Sequence, residues 1–249
     1  MRLKGKVAIV TGGSSGIGKA IALEFVKEGA RVGVVGRQEA KLKEVVEEIR
    51  RLGGEGISIH GDVSNPADVD RMVRVTVETF KRLDILVNSA GTLFSADLAH
   101  HTEAIWNDTL NINLKGSFLC IQRAVPEMLK QGKGKIINIS SIAGQIGFPN
   151  SVAYCASKGG IMGMTKALAM ELAPLKINVN DLAPGDVETP LNEHLLRNPE
   201  YLRQRVENTP YGRVGKVSDI APAAVYLASD ESDFVNGITL TVDGGLIIK

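Results

Sequence analysis

Tyr154 and Lys158 lie four residues apart in the run Tyr154-Cys155-Ala156-Ser157-Lys158. On a helix that spacing places both side chains on one face. A free phenol titrates at about 10, too high for a base at neutral pH, but a neighbouring ammonium favours the phenolate. Together the two residues are a candidate proton-transfer device. Alone they prove little, because Tyr and Lys at this spacing also arise by chance on solvated helices. Ser141 adds weight, closing the apolar run in Ile139-Ser140-Ser141 upstream of the tyrosine.

A second chemical signal is the loop Thr11-Gly12-Gly13-Ser14-Ser15-Gly16-Ile17-Gly18. It follows a short apolar run and opens a helical pattern. A backbone that turns there without side chains lets a pyrophosphate come close, and the free amides of the helix start hold the anion. Gly12, Gly16 and Gly18 are spaced G-x-x-x-G-x-G, and no Gly-Lys-Ser/Thr follows, so this is not the phosphate loop of a nucleoside triphosphatase. The next apolar run ends Val34-Val35-Gly36-Arg37-Gln38, without the acidic residue that would hold a ribose diol. Arg37 suits a 2′-phosphate, which its guanidinium can meet bidentately, so NADP(H) is favoured over NAD(H). The bland alternative is a solvated loop arginine.

These residues need a scaffold. Strand-like runs read as Val7–Thr11, Arg31–Gly36, Gly56–His60, Asp84–Asn88, Lys135–Ser140, Ile177–Leu182 and Ile238–Val242, with helical patterns between them. Continuous apolar runs such as Ile85-Leu86-Val87 are those of strands buried on both faces. Repeated strand–helix units imply an α/β fold: one doubly wound, seven-stranded parallel sheet in a single domain over residues 1–249. Ligands of such sheets sit at the carboxyl ends of the strands, where the glycine loop, Asn88-Ser89-Ala90-Gly91 and Ser141 converge. The proline-rich stretch at 187–212 reads as a lid, with short helices near Leu191–Arg197 and Glu200–Asn208.

With these motifs in this order, the chain resembles the short-chain dehydrogenase/reductase family over essentially its whole length. The resemblance rests on Thr11–Gly18, Asp62-Val63, Asn88–Gly91, Asn113, Ser141, Tyr154, Lys158 and Pro184-Gly185. It implies a Rossmann fold and hydride transfer between a ketone and a secondary alcohol. Tyr154 would be the acid/base, Ser141 would hold the reacting oxygen, and Lys158 would bind the nicotinamide ribose and lower the tyrosine pKa. Asn113 would hold a water that relays protons. Ser14, Ser15 and Ile17 of the glycine loop, and Asp62, Val63, Asn88, Ala90 and Gly91, would line the dinucleotide. Pro184, Gly185, Val187 and Thr189 would meet its nicotinamide end. Two departures stand out: Asn88-Ser89-Ala90-Gly91 in place of Asn-Asn-Ala-Gly, and Asp186 where an apolar residue is usual. Gln145, Asp186 and His194 are candidate substrate contacts, with Asp186 facing either substrate or solvent.

The pattern is nearest to 3-oxoacyl-(acyl-carrier-protein) reductases and glucose-dehydrogenase-like members. An acyl-carrier-protein thioester is the first substrate to expect, with Lys130, Lys133 and Lys176 as candidate docking residues; against it, Leu175 sits where such relatives carry arginine. Sugar, polyol or small-alcohol dehydrogenation is the rival, and a non-catalytic dinucleotide-binding module the alternative of another class. Family resemblance also implies a homotetramer, for which the apolar tail Leu246-Ile247-Ile248 would supply contacts.

Composition narrows the rest. The chain has 249 residues, 44% apolar and 23% charged, with 29 basic against 28 acidic side chains, which excludes disorder and offers no field to a nucleic acid. No run of about 18 apolar residues suggests a membrane span. Met1 to Lys6 leads directly into a strand rather than a signal peptide, so a cytoplasmic protein is expected. Two cysteines exclude a disulfide scaffold, and Cys120 and Cys155 read as small buried residues. His100-His101 reads as a solvated loop and no metal site is expected. Trp106 reads as a helix-packing residue. Aromatics are 4% against 27 glycines, so the core must be aliphatic.

Overall fold

The computed structural model describes all residues, Met1–Lys249. Seven strands form one sheet: β1 (Val7–Thr11), β2 (Arg31–Gly36), β3 (Gly56–His60), β4 (Ile85–Asn88), β5 (Gly134–Ile139), β6 (Ile177–Pro184) and β7 (Thr239–Val242). Their order is β3-β2-β1-β4-β5-β6-β7, and every pairing is parallel. The chain winds outward from β1 to β3, then returns to place β4 on the other side of β1. That reversal opens a crevice at the carboxyl ends of β1 and β4.

The helices are α1 (Gly16–Lys27), α2 (Glu39–Arg51), α3 (Pro66–Phe80), α4 (Glu103–Leu110), α5 (Gly116–Gln131), α6 (Val152–Leu172), α7 (Glu193–Leu196), α8 (Pro199–Asn208) and α9 (Val217–Ala228). Local chemistry sets their limits. Gly29 ends α1 in a left-handed conformation, φ 87°. Asn65 caps α3 by accepting from the Ala67 amide at 3.0 Å, and Pro66 follows at the first turn. The core has two aliphatic layers, one on each sheet face. Phe25, Val32, Val34 and Ala224 belong to the first; Ile9, Leu86, Met128 and Val179 belong to the second. No helix is long and apolar enough to cross a membrane.

Several boundaries differ from the sequence expectation; β4 and β7 each start one residue later, at Ile85 and Thr239. β5 starts at Gly134, whose missing side chain makes room for Met128, and it ends before Ser140. β6 runs on to Pro184, because its ladder with β7 continues to the Pro184–Val242 pair. A π-helical turn, Asn111–Lys115, joins α4 to α5, and apolar periodicity carries no mark of it.

Candidate active site

The crevice is a cavity of about 420 Å³, within the usual range for cofactor and small-ligand sites. Its first wall is the glycine loop. Thr11 Oγ1 accepts from the Ser89 and Ala90 amides at 3.1 and 3.2 Å, and the Gly13 amide donates to Val35 O at 3.0 Å. A Cβ on Gly12 would lie 2.8 Å from the Ala90 backbone, and one on Gly18 would strike the Gly12 carbonyl. These two glycines are therefore required by the chain's own packing. Gly16 is different: its φ is 55°, and a Cβ there would face across the crevice to Thr189 at 3.5 Å. Ser15 precedes α1 without a side-chain cap, and the amides of Ser14 to Gly18 donate to no protein acceptor. Free amides at a helix start in a cleft suit a phosphate, so this wall fits a dinucleotide.

Gly12, Ser14, Ser15, Gly16, Ile17 and Gly18 line the crevice with Arg37, Asp62 and Val63 at the β2–β3 end and Ala90 and Gly91 beside β4. Arg37 Nη1 stands 3.9 Å from Asp62, and its side chain is 66% exposed. Burial pulls the Asp62 carboxyl upward, but the Ser64 hydroxyl and amide at 2.7 and 2.9 Å, with Arg37, hold it below its ordinary value. Beyond β4, the crevice is lined by Ser141, Tyr154 and Lys158, then by Pro184, Gly185, Asp186, Val187 and Thr189.

Ser141 follows β5 and heads the short turn Ile142–Gly144, accepting from the Ala143 amide at 3.1 Å. It lines the crevice together with Tyr154, which is half-buried on α6. A Cβ on Gly144 would meet the Lys158 backbone at 2.8 Å, so this glycine lets the serine turn press against α6. Lys158 Nζ donates to Ile139 O at 2.8 Å and lies 5.4 Å from the Tyr154 ring centroid. Burial pushes the Tyr154 phenol up to about 12, with Cys155 and Asp186 adding to the rise and Ser141 opposing it. The expected lowering by Lys158 is not found, because the ammonium faces the Ile139 carbonyl. Burial pushes Lys158 down to about 8, opposed by Asp181.

Four expected site residues lie outside the crevice lining. Asn88 is buried beneath the floor, its Nδ2 donating to Asn138 Oδ1 at 2.9 Å. Asn113 is fully buried in the π turn. Its Nδ2 donates to Thr92 O and Ser157 Oγ, each at 3.0 Å, and its Oδ1 accepts from Thr92 N at 2.8 Å. The side chain is thus committed to protein partners, and a relay water would have to use the main chain. Gln145 is exposed and donates to Thr241 Oγ1 at 2.9 Å, which ties it to β7. His194 is exposed on α7, while Leu191, Asn192 and Leu195 turn inward.

Asp186 faces neither open solvent nor a bare pocket. It pairs with Arg205 of α8, both side chains being about 15% exposed. The Arg205 guanidinium lies 5.1 Å from the Phe148 ring centroid and 5.9 Å from that of Tyr201. Phe148, Tyr201, Leu93 and Leu195 line the crevice and were not anticipated. The scarcity of aromatics was the available signal: of ten Phe and Tyr residues, Phe148, Tyr154 and Tyr201 gather here. The segment 187–212 is anchored by a short bridge, with Gly215 N donating to Asp186 O at 2.7 Å and Glu188 N to Gly215 O at 3.0 Å.

The other readings divide. Lys133 and Lys176 line a cavity at the starts of β5 and β6, on the sheet edge opposite the crevice, and Lys130 pairs with Glu127. They cannot flank its mouth. Cys120 is core and burial raises its thiol, whereas Cys155 is only half-buried. His100 is exposed and contacts Asp97 at 2.7 Å, but both ring nitrogens of His101 are shielded without partners, so the pair is not uniformly solvated. Trp106 lies on α4, 37% exposed.

The family model described as "Enoyl-(Acyl carrier protein) reductase" matches residues 12–247. This chain belongs to the short-chain dehydrogenase/reductase family. It is 42% identical to the 3-oxoacyl-[acyl-carrier-protein] reductase FabG of Thermotoga maritima, over 100% of both chains. It is 38% identical to the 2,5-dichloro-2,5-cyclohexadiene-1,4-diol dehydrogenase LinX of Sphingobium indicum, over 98% of this chain and 97% of the other. The crystal structure of a gluconate 5-dehydrogenase from Burkholderia cenocepacia, in complex with NADP and tartrate, superposes with a TM-score of 0.96. That match covers 100% of this chain and 97% of the other at 35% identity. The protein is accordingly a dinucleotide-binding oxidoreductase acting on alcohol and ketone groups.

Proposed function

We propose that this short-chain dehydrogenase/reductase, a single domain over residues 1–249, uses NADP(H) to reduce a ketone to a secondary alcohol, and that its first substrate class is a 3-oxoacyl thioester. The observation that carries the chemistry is the meeting of Ser141, Tyr154 and Lys158 in the crevice at the end of β5, with β4 between them and the glycine loop of β1. The free amides of Ser14 to Gly18 would hold the pyrophosphate, and Arg37 on the rim would meet a 2′-phosphate. Bound, the nicotinamide supplies the hydride. Ser141 donates a hydrogen bond to the substrate oxygen, and Tyr154 gives it a proton as charge develops there. A phenol held at about 12 keeps its proton at neutral pH, which suits the acid role in reduction. Lys158 would bind the nicotinamide ribose. Asn113 would act on the proton path through its carbonyl, its side chain holding the Thr92 loop in place.

Apolar side chains over the crevice, Leu93, Phe148 and Leu195, favour an acyl chain, as does the full-length likeness to a 3-oxoacyl reductase. A second reading, oxidation of a sugar acid or polyol, is favoured by the Asp186–Arg205 pair and by the likeness to a gluconate dehydrogenase. The test is a panel of acetoacetyl thioesters, sugar acids and simple ketones, assayed with NADPH and NADH. Faster turnover of sugar acids than thioesters would overturn the thioester assignment, and equal use of both cofactors would overturn the NADP(H) assignment. We also propose a homotetramer, because the apolar run Leu246–Ile248 leaves Ile248 facing solvent, 86% exposed. Sedimentation would test it.

A further inference from the structure

Asp181 is a carboxylate with no solvent exposure, on a strand whose neighbouring residues Val179, Leu182 and Ala183 are buried and apolar. An ionised group there is costly to desolvate unless it is fully engaged. Its oxygens accept from the Ser140 amide at 3.1 Å and the Ser140 hydroxyl at 2.6 Å, and Thr239 of β7 stands opposite it in the ladder and favours its charged form. Ser140 separates two parts of the crevice floor. The residue before it, Ile139, takes Lys158 Nζ on its carbonyl at 2.8 Å. The residue after it, Ser141, lines the crevice with Tyr154. Lys158 is itself buried, and that carbonyl is its one hydrogen-bond partner in the chain.

We propose that Asp181 is a positioning residue for Ser141, Tyr154 and Lys158: a buried counter-charge on the α6 side of the sheet that pins, through Ser140, the end of β5 from which Ile139 and Ser141 reach the site. The inference rests on the roles assigned above to those three residues. Burial drives Lys158 down, and Asp181 is the charged group that opposes the fall; Lys158 in turn restrains the rise that burial imposes on the Asp181 carboxyl. The groups facing this pair are few. Helix α6 presents Lys158 and Tyr154, β5 and β7 present the hydroxyls of Ser140 and Thr239, and Asp186 lies beyond Tyr154. On the opposite sheet face, Asp219 of α9 is turned to Arg213 at 2.7 Å.

The experiment is an NMR titration of protein labelled with ¹³C at lysine Cε, with the Lys158 signal assigned by its loss in Lys158→Arg. The wild-type midpoint is expected at about 8, with a second inflection at acid pH as Asp181 titrates. Asp181→Asn should lower the midpoint by about one pH unit or more, and the alkaline limb of kcat should move with it. An unchanged midpoint, or a wild-type curve without the acid inflection, overturns the proposal. Should Asp181→Asn not fold, the pair Asp181→Ala with Ser140→Ala removes acceptor and donor together and carries the same expectation. A variant that melts earlier while its Lys158 midpoint stays put would reduce Asp181 to a structural part and overturn the proposal. The NMR readout needs no turnover, so it separates this inference from the assignment of the reaction, which Tyr154→Phe tests.

Discussion

At the starts of the strands, Lys6 and Lys133 share Asp230 at 3.1 and 3.0 Å, and Lys135 meets Asp233 at 2.7 Å. Asp84, buried at the head of β4, accepts from the Val7 amide and from Nε and Nη2 of Arg82 at 2.6 to 2.8 Å. At the other ends of the same strands, Lys158 has a carbonyl in place of a carboxylate, Tyr154 is raised to about 12, and the amides opening α1 have no acceptor. One sheet thus carries a closed polar edge and an open one. Closed pairs hold strand ends together, while open groups sacrifice stability for the ability to be completed by something bound.

Substitutions at the two edges should therefore fail differently. The largest effect belongs to Tyr154→Phe: kcat for carbonyl reduction should fall by about 10³-fold, with melting temperature unchanged, as steady-state assays and calorimetry would show. A small loss of kcat would break the contrast. At the closed edge, Asp84→Ala should lower unfolding free energy by about 2–3 kcal/mol, because it strands the Val7 amide and Arg82. Urea titration reads this, and kcat per folded molecule should not move. Turnover should decline above pH of about 8 as Lys158 loses its proton, by tenfold for each further unit while that group controls the rate. Stability has the opposite sign there. Between about 8 and the ordinary lysine value, the unfolded chain holds a proton the folded one lacks, so stability rises with pH. Arg37→Ala should raise the KM for NADPH by about tenfold, the size of one exposed charge-assisted contact, and leave that for NADH alone. Smallest is Arg205→Ala, where a partly exposed pair is worth about 1 kcal/mol. It should raise substrate KM by a few fold without touching kcat.

Much of the open edge was legible in the residues. Apolar runs such as Val7–Thr11 and Arg31–Gly36 coincide with the strands, because a strand buried on both faces tolerates nothing else. The glycine loop, Ser141, Tyr154 and Lys158 were legible because their chemistry needs fixed residue types at fixed places along the chain. Asn88, Asn113 and Gln145, whose side chains bond within the protein, were less legible for the complementary reason. An amide side chain can serve a ligand or the protein, and only the neighbours across the fold, Asn138, Thr92 and Thr241, decide which. Pairs joining distant segments, such as Asp186–Arg205, leave no local trace at all. Gly12 and Gly18 show a subtler case: glycine was rightly marked, but the obstacle to a side chain is the chain's own backbone.

Asn113 ties three stretches that are far apart in sequence: the loop after β4 through Thr92, the π turn itself, and α6 through Ser157. A wall knotted at one buried amide has no weak panel to swing out first. Heat should then remove activity and structure along a single curve, with the Thr92 amide among the last to exchange its hydrogen for deuterium.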